Sequence, residues 1–336
     1  MFILRWGVLC SVVVAMWMPA SSQHFAREIS QFVGENARPF LQPLADAVSS
    51  NVHAGLFAPA FGSDGLHVSV QIVGMAVGIP DELKTFKAAP FSRPVEFTQG
   101  GIVFIGDLQI PAATLPTAAG LSRTSTFTGR LTRVRPKGLP YTPGVYDFIQ
   151  RDATVTVGGG EDFSTVIIGT PQLAVGSLYG TDLLVRYVPP VSLPELGEAK
   201  AFGIGVRHTV DRYVSLPFEL GAVFMYQSLT LKANEQEYSV EADLSAYTLQ
   251  IMLSKRIGMG LIGFTPYAAA GYESGTLNVG YVFADPYIGK QQLEFDGGGR
   301  ARLLVGIGFS ISRITLQADY NIALLNGLSF GIGVAF

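Results

Sequence analysis

The sequence predicts a transmembrane antiparallel β-barrel, and three observations lead to this fold class. The mean hydropathy is +0.34, yet beyond the N-terminal segment there is no uninterrupted apolar run of about 18 residues that could form a membrane helix. Glycine is abundant, with 39 residues, and charged residues make up only 15%. Apolar residues alternate with polar or small ones over many segments. Because barrel strands satisfy their backbones through neighbours, this pattern predicts about 10–14 strands, with an even count favoured.

Residues 1–22 have the features of a signal peptide. Arg5 supplies the positive region, Val8 to Trp17 form a short apolar run, and small residues precede Gln23. Cys10 comes before most of the apolar run, which is the wrong place for a lipobox cysteine. Cleavage removes this cysteine and leaves 22 basic and 26 acidic side chains, a net charge of −4. The sequence therefore predicts export to a bacterial outer membrane and gives no sign of a nucleic-acid partner.

The C-terminal segment has the clearest alternation. From Gly327 to Phe336 one face holds only apolar side chains and the other only small ones, without a miss. We expect the apolar face to contact outer-membrane lipid. The final Phe336 is similar to the usual last residue of outer-membrane barrels, and this resemblance implies recognition by the barrel-assembly machinery.

Earlier segments repeat the pattern with a few irregularities. Four apolar residues fall on the inward face, namely Leu184, Val223, Met225 and Leu304. Between Thr265 and Phe283 the apolar face changes sides, which a bulge near Ser274 and Gly275 or a turn there would explain. Aromatic residues near strand ends fit interfacial girdles, or ordinary strand preference, and are Tyr226, Tyr247, Tyr267, Tyr272, Tyr281 and Phe283.

Residues 23–60 differ from the alternating segments. Apolar residues recur at helical spacing from Phe25 to Val33 and from Phe40 to Val48, with Pro39 and Pro43 in the first turn of the second helix. We predict two short helices that plug the lumen or cap the periplasmic mouth. The barrel then covers residues 61–336. Proline-rich residues 79–165 are expected to form long loops or an insertion, with short strands at 96–107 and 154–157.

Polar residues on the inward face are candidates for ligand binding. They include Arg186, Arg207, Arg302, Arg313, Glu219, Asp319, Gln317, Gln250 and Asn321. One interpretation is a ladder of charges that pair with each other and fill a narrow lumen. The other is that arginines bind a ligand carboxylate while apolar plug residues hold its tail. The hypothetical ligand site comprises Arg186, Arg207, Arg302, Arg313, Gln317, Asp319, Phe32, Phe40 and Leu44.

Catalytic and metal chemistry have little support in the sequence. The four histidines, His24, His53, His67 and His208, are scattered and form no metal-binding motif. No nucleophile-elbow spacing is present either, although a serine triad on the barrel rim would need no local motif. We therefore predict no metal, no cofactor and no enzymatic activity.

From about Gln172 onward, the chain resembles the FadL-like outer-membrane transporters, and more closely an uncharacterised family of related barrels. The resembling segments are Gly203 to His208, Leu216 to Leu220, Ser254-Lys255, Thr265 to Tyr267, Gly271 to Ser274 and Leu316 to Leu324, with the glycine-rich ending. This resemblance implies passive, porin-like transport of hydrophobic or amphipathic small molecules such as fatty acids, past helices that plug the barrel. The alternative is a structural or secretion-assembly barrel with a sealed lumen.

Overall fold

The structure, a computed structural model, describes residues 34–57, 66–193, 197–210, 213–234, 238–259, 261–283 and 290–336. The predicted signal peptide and the first predicted helix lie outside these residues. The described residues divide into two compact units. One contains Leu44–Ile79 and Ser164–Phe336, and the other contains residues 34–43 together with Pro80–Phe163.

The chain contains one α-helix and eighteen strands within its described residues. A short 3-10 turn, Gly34–Asn36, leads directly into the helix α1, Ala37–Val52. The strands are β1 His67–Gly78, β2 Thr85–Ala88, β3 Phe91–Gln99, β4 Ile102–Ile110, β5 Ala113–Pro116, β6 Ser125–Pro136, β7 Asp152–Val157, β8 Thr165–Leu178, β9 Thr181–Leu193, β10 Gly197–Thr209, β11 Glu219–Asn234, β12 Tyr238–Ser254, β13 Ile257–Met259, β14 Ile262–Phe283, β15 Lys290–Asp296, β16 Arg300–Ile311, β17 Ile314–Ile322 and β18 Gly327–Ala335.

Ten antiparallel strands close into a barrel, in the order β1, β8, β9, β10, β11, β12, β14, β16, β17 and β18. The ring closes where β1 pairs with β18 along its length. The short strands β13 and β15 add to the edges of β14. The predicted closed barrel is therefore confirmed, at the lower end of the expected strand number.

The exterior of the ring is apolar and its interior is polar, in the phase that the sequence predicts. Side chains exposed on the outside include Ile72, Ile204, Phe224, Leu249, Val305, Ile307, Tyr320, Phe330 and Ile332. Buried side chains on the inside include Gln71, Arg207, Gln227, Gln250, Gln317 and Asn321. Because a soluble protein would hide such an exterior band, this arrangement is that of an outer-membrane-type barrel.

The two ends of the barrel differ in their connections. We call the end where β1 begins and β18 finishes the terminus end, and the opposite one the loop end. Two-residue turns, at 179–180 and 312–313, connect strands at the terminus end. The longest connection leaves the loop end at Ile79, whose amide donates to Ser164 at the point of return.

The strands that rise highest at the loop end reverse their polarity. Strand β14 runs through Ser274 and Gly275 without a register shift or a turn, so neither predicted irregularity is present. Instead Leu277, Val279 and Tyr281 face inward and are buried. On the outside of the neighbouring strands, Lys232 pairs with Glu241 in an exposed salt bridge. The face changes because a strand beyond the lipid must present polar groups to water.

The N-terminal helix starts earlier than the sequence predicted. It begins at Ala37 rather than at Pro39, so Pro43 lies inside the helix and not in its first turn. No helix among the described residues has the length and apolar character needed to cross a bilayer.

The second unit has its own small core and more strands than predicted. Strands β3, β4, β6 and β7 form one sheet, and β2 pairs with β5. The predicted strand at 96–107 is instead a hairpin, because Gly100 and Gly101 adopt the positive φ angles that a tight turn requires. Phe97 and Phe104 stack in a buried cluster with Leu108, Leu131, Val134 and Ile149. This part of the chain is thus a folded insertion.

Candidate functional site

The lumen of the barrel contains residues 44–57, which we call the plug segment. It comprises the second half of α1 and the extended residues that follow it. Near the loop end, the Asp46 carboxylate lies 3.8 Å from the Arg300 guanidinium. Farther along, Asn51 donates its side-chain amide to the Val166 carbonyl at 2.9 Å. The plug segment is therefore attached to the wall on more than one side.

Arg186 of β9 binds the backbone at the end of α1. Its guanidinium donates to the carbonyl oxygens of Val52, Ala54 and Gly55 at 3.2, 2.9 and 2.8 Å. The remaining donors reach Gln172 and Gln227, each at 2.8 Å. A helix leaves its last carbonyls without intrahelical partners and carries partial negative charge there. Arg186 meets both needs, which explains a cation that is only 2% exposed.

Arg302 of β16 supplies a second cationic anchor. Its guanidinium donates to the Ser50 carbonyl at 2.8 Å and to the Asn321 side chain at 2.7 Å. It also forms a buried ion pair with Glu273. This pairing offsets the cost of desolvating both charges, because neither is left alone in the lumen.

A carboxylate network lies next to this anchor. Asp319 accepts hydrogen bonds from the Tyr267 hydroxyl at 2.8 Å, the Asn321 amide at 2.6 Å and the Ser329 hydroxyl. Asn321 also accepts a hydrogen bond from the Arg302 guanidinium, so Asp319 orients Arg302 indirectly, through Asn321. The inward polar residues of β14, β16, β17 and β18 thus form one connected network.

Below the anchors, the tip of the plug segment packs in an apolar collar. The Phe57 ring stacks on Tyr267, with centroids 3.5 Å apart and planes inclined by 12°. Leu56 and Phe57 form one buried cluster with collar residues from six strands: Ala174, Leu184, Val223, Met225, Met252, Tyr267, Ala269 and Leu304. All four inward apolar residues that interrupted the predicted alternation belong to this collar.

A third charged group lies closer to the terminus end. Arg207 of β10 binds the Asp182 carboxylate through two nitrogens, and both residues are buried. The His67 ring lies 3.8 Å from the other carboxylate oxygen. Gly176 leaves room for this carboxylate, since a Cβ there would come within 1.8 Å of an Asp182 oxygen. This pair fills the lumen near the start of β1.

The predicted ligand residues occupy several different places. Arg186, Arg207, Arg302, Gln317 and Asp319 are buried inside the barrel, as expected. Arg313 is exposed in the two-residue turn before β17, because the strand begins at Ile314. Its predicted inward position is therefore wrong. Its guanidinium instead lies 5.5 Å from the Phe336 ring centroid.

The apolar members of that set are not brought together around a ligand. Phe40 is buried in the second unit, where its ring packs edge-on against Phe86 at 6.4 Å. Leu44 is half-buried at the start of the plug segment. Phe32 lies outside the described residues. Tyr267 and Tyr281, predicted as interfacial aromatics, are buried on the inner side of the barrel.

Sequence reasoning missed the residues that hold the plug most directly. The His53 ring hydrogen-bonds to the Thr248 hydroxyl, and the Gln227 amide donates to the Val52 carbonyl. Leu56 and Phe57 were not singled out either. The inward apolar residues were a usable signal, because a lumen that carries them needs an apolar partner inside.

This arrangement defines a class: an outer-membrane-type β-barrel whose lumen is occupied by its own N-terminal segment. The chain belongs to a family of unknown function (DUF6588), whose model matches residues 3–336. A search of curated proteins found no match.

Solved structures of several barrels are similar to this chain at low identity. The transport unit of the autotransporter AIDA-I from Escherichia coli is 11% identical, with a TM-score of 0.37, over 87% of this chain and 96% of that one. The translocator domain of the autotransporter NalP from Neisseria meningitidis is 11% identical, with a TM-score of 0.28, over 94% and 99%. OccK2 (OpdF) from Pseudomonas aeruginosa is 10% identical, with a TM-score of 0.13, over 81% and 97%.

Proposed function

We propose that this protein is a structural outer-membrane barrel with a sealed lumen, which carries the folded unit of residues 80–163 on the connection between β1 and β8. The observation that carries the proposal is the pair of buried arginines, Arg186 and Arg302, whose guanidinium groups bind main-chain carbonyls of the plug segment. Solutes could cross the lumen only if these donors were released from the plug segment, or if the plug segment left the space that it fills.

The seal has polar and apolar parts that reinforce each other. The arginines fix the end of α1, and the collar holds Leu56 and Phe57 below it. Releasing the plug would take the main-chain acceptors away from two buried cations and leave them with their wall partners alone, which costs several kcal/mol.

Ion conductance of the purified barrel in planar bilayers tests the seal. We expect the wild-type protein to insert without a stable open channel, and the Arg186→Ala/Arg302→Ala double variant to show frequent openings. Heat-modifiable migration on gels verifies that both proteins are folded. A long-lived, high conductance state of the wild-type barrel would overturn the proposal.

A second candidate function is passive transport of hydrophobic or amphipathic small molecules such as fatty acids. The apolar collar favours it, because a chamber lined by Leu184, Val223, Met225 and Met252 would accept an acyl chain once Leu56 and Phe57 had left. The resemblance to FadL-like transporters points the same way. In this mechanism the plug must move during every transport event.

A disulfide lock separates the two functions. The Ser49 hydroxyl lies 3.5 Å from the position that a Cβ on Gly275 would occupy, so Ser49→Cys/Gly275→Cys should crosslink plug and wall. Uptake of a labelled long-chain fatty acid is measured in cells with and without the protein. Transport predicts uptake that depends on the barrel, stops in the oxidised lock and returns on reduction. A sealed barrel predicts uptake that depends neither on the presence of the protein nor on the oxidation state of the lock. The single variants are controls for the lock.

A further inference from the structure

The plug segment crosses the lumen with a defined polarity. Along β14, which rises from the terminus end to the loop end, Ser49 lies beside Gly275 and Phe57 stacks on Tyr267. These wall residues are eight positions apart, roughly 26 Å along a strand. The chain therefore descends from the loop end toward the terminus end as residue numbers increase.

The opposite walls give the same direction independently. On β16, which descends from the loop end, Arg300 contacts Asp46 and Arg302 contacts Ser50. On β8, which also descends, Val166 accepts from Asn51, whereas Ala174 packs in the collar around Leu56 and Phe57. Three strands thus place the start of the plug segment at the loop end.

The loop end is the outer side of the membrane by the usual rule for such barrels. Periplasmic turns are short and extracellular connections are long. The turns at 179–180 and 312–313 lie at the terminus end, while residues 79–164 leave from the loop end. An even number of strands also puts the start of β1 and the finish of β18 on one side.

We propose that the barrel exports its own N-terminal segment: the chain ahead of Leu44 is carried outward through the lumen and is retained on the outer side of the membrane. A protein secreted into the periplasm begins with its whole chain on the inner side. Since α1 enters the lumen at the loop end and β1 starts at the terminus end, the chain ahead of Leu44 must be carried to the outer side, and the plug segment spans the barrel between the two sides. The exported cargo is a peptide segment of this same chain, and the plug segment is what remains of its path.

The proposal rests on the polarity of the plug and on the orientation of the barrel, and not on the sealed lumen. A barrel that conducts solutes could still hold its N-terminal segment outside. A sealed barrel could equally have a plug whose N-terminal residues stay on the inner side of the outer surface, and the accessibility of the residues ahead of Leu44 separates that case from export.

Single-cysteine labelling of intact cells tests the export. Cys10, in the predicted signal peptide, is the sole natural cysteine, so one introduced thiol is a clean reporter. Glu35 and Arg38 are exposed side chains ahead of the plug segment, and each is replaced by cysteine. Gln150→Cys lies in the connection that leaves the loop end at Ile79 and returns there at Ser164, and Arg313→Cys reports the terminus end. The reagent is a polyethylene-glycol maleimide that is too large to pass the outer membrane.

We expect Glu35→Cys and Arg38→Cys to react in intact cells, together with Gln150→Cys. Arg313→Cys should react only after the outer membrane is opened. Labelling of the purified, folded variants first establishes that each thiol is accessible. Reaction of the Glu35 and Arg38 cysteines only in opened cells, like Arg313→Cys, overturns the proposal. If Gln150→Cys also needs opened cells, the barrel has the opposite orientation and the export is equally refuted.

Discussion

Arg186 and Arg302 stand on strands that are five places apart in a ring of ten, so they face each other across the lumen. Both donate to main-chain carbonyls of one short segment, Arg302 to Ser50 and Arg186 to Val52, Ala54 and Gly55. The end of α1 is therefore held from opposite walls. Backbone acceptors cannot be removed by substituting plug side chains, so the clamp is independent of the plug's own sequence at these positions.

Removing the two anchors should loosen the plug more than removing either one. The single changes Arg186→Ala and Arg302→Ala each keep the other arginine in place. Each orphans buried acceptors, at about 1–3 kcal/mol per group, and Arg302→Ala also leaves the Glu273 carboxylate buried without its partner, at about 3–5 kcal/mol. In the double variant both arginine anchors are lost, and we expect proteolysis within the plug segment to accelerate at least tenfold. Limited proteolysis of the folded barrel measures this, with Arg313→Ala as the exposed control. Additive, small effects would show that the collar alone retains the plug.

Gly55 is expected to tolerate no side chain. Its φ is +69°, and an added Cβ would lie 2.2 Å from the Val73 Cγ1 atom. Gly298 also has a positive φ, of +54°, but has open space around it. Gly298→Ala should therefore cost about 1–2 kcal/mol for the backbone alone. Gly55→Ala should cost about 1–3 kcal/mol more through overpacking. Urea unfolding of both variants measures the difference, and equal losses would contradict the packing argument.

The free-energy cost of placing a charge on the outer face should depend on the position of the residue along the barrel axis. Val305 is exposed in the apolar band, and Val305→Lys is expected to cost about 2–4 kcal/mol in lipid. Asn278 is exposed on the part of β14 whose outer face is polar, so Asn278→Lys should be nearly neutral. Equilibrium folding into lipid vesicles compares them. A similar penalty for both positions would mean that the upper part of β14 also contacts lipid.

Phe336 should matter more for assembly than for stability. Its backbone exchanges two hydrogen bonds with Val68, at 2.8 and 3.1 Å, which help to close the ring. Its side chain is 65% exposed. Phe336→Ala keeps the backbone bonds, so we expect unchanged thermal stability of refolded protein but slower assembly in cells. Pulse–chase analysis of the heat-modifiable form measures the rate. Wild-type assembly kinetics would contradict recognition of this residue by the assembly machinery.

The sequence predicted the wall of the barrel better than its contents. Alternation fixes which side chains face lipid, because a strand has a period of two whatever its neighbours are. It therefore placed Arg186, Arg207 and Arg302 inside correctly. Arg313 was misplaced because it lies in a two-residue turn, where the period does not apply. Arg186 and Arg302 bind backbone carbonyls of the plug segment, and because every residue has a carbonyl, the sequence could not identify these partners.

The face change in β14 shows what alternation alone misses. Leu277, Val279 and Tyr281 keep the period of two but occupy the inner face, because their strand has risen above the apolar band. A bulge would be needed to restore the alternation only if the outer face of β14 contacted lipid along its whole length. Equally, the inward apolar residues Leu184 and Met225 belong to one buried cluster with Phe57, which is far away in sequence.

The direction of the plug also has a consequence for the order of assembly. The plug segment continues into the rest of the chain at both of its ends, so the chain passes through the barrel and does not merely insert into it from one side. A closed ring cannot be threaded by a chain that is already folded on its outer side. The plug segment must therefore pass through the lumen before residues 34–43 fold together with Pro80–Phe163, so the second unit completes its folding after export.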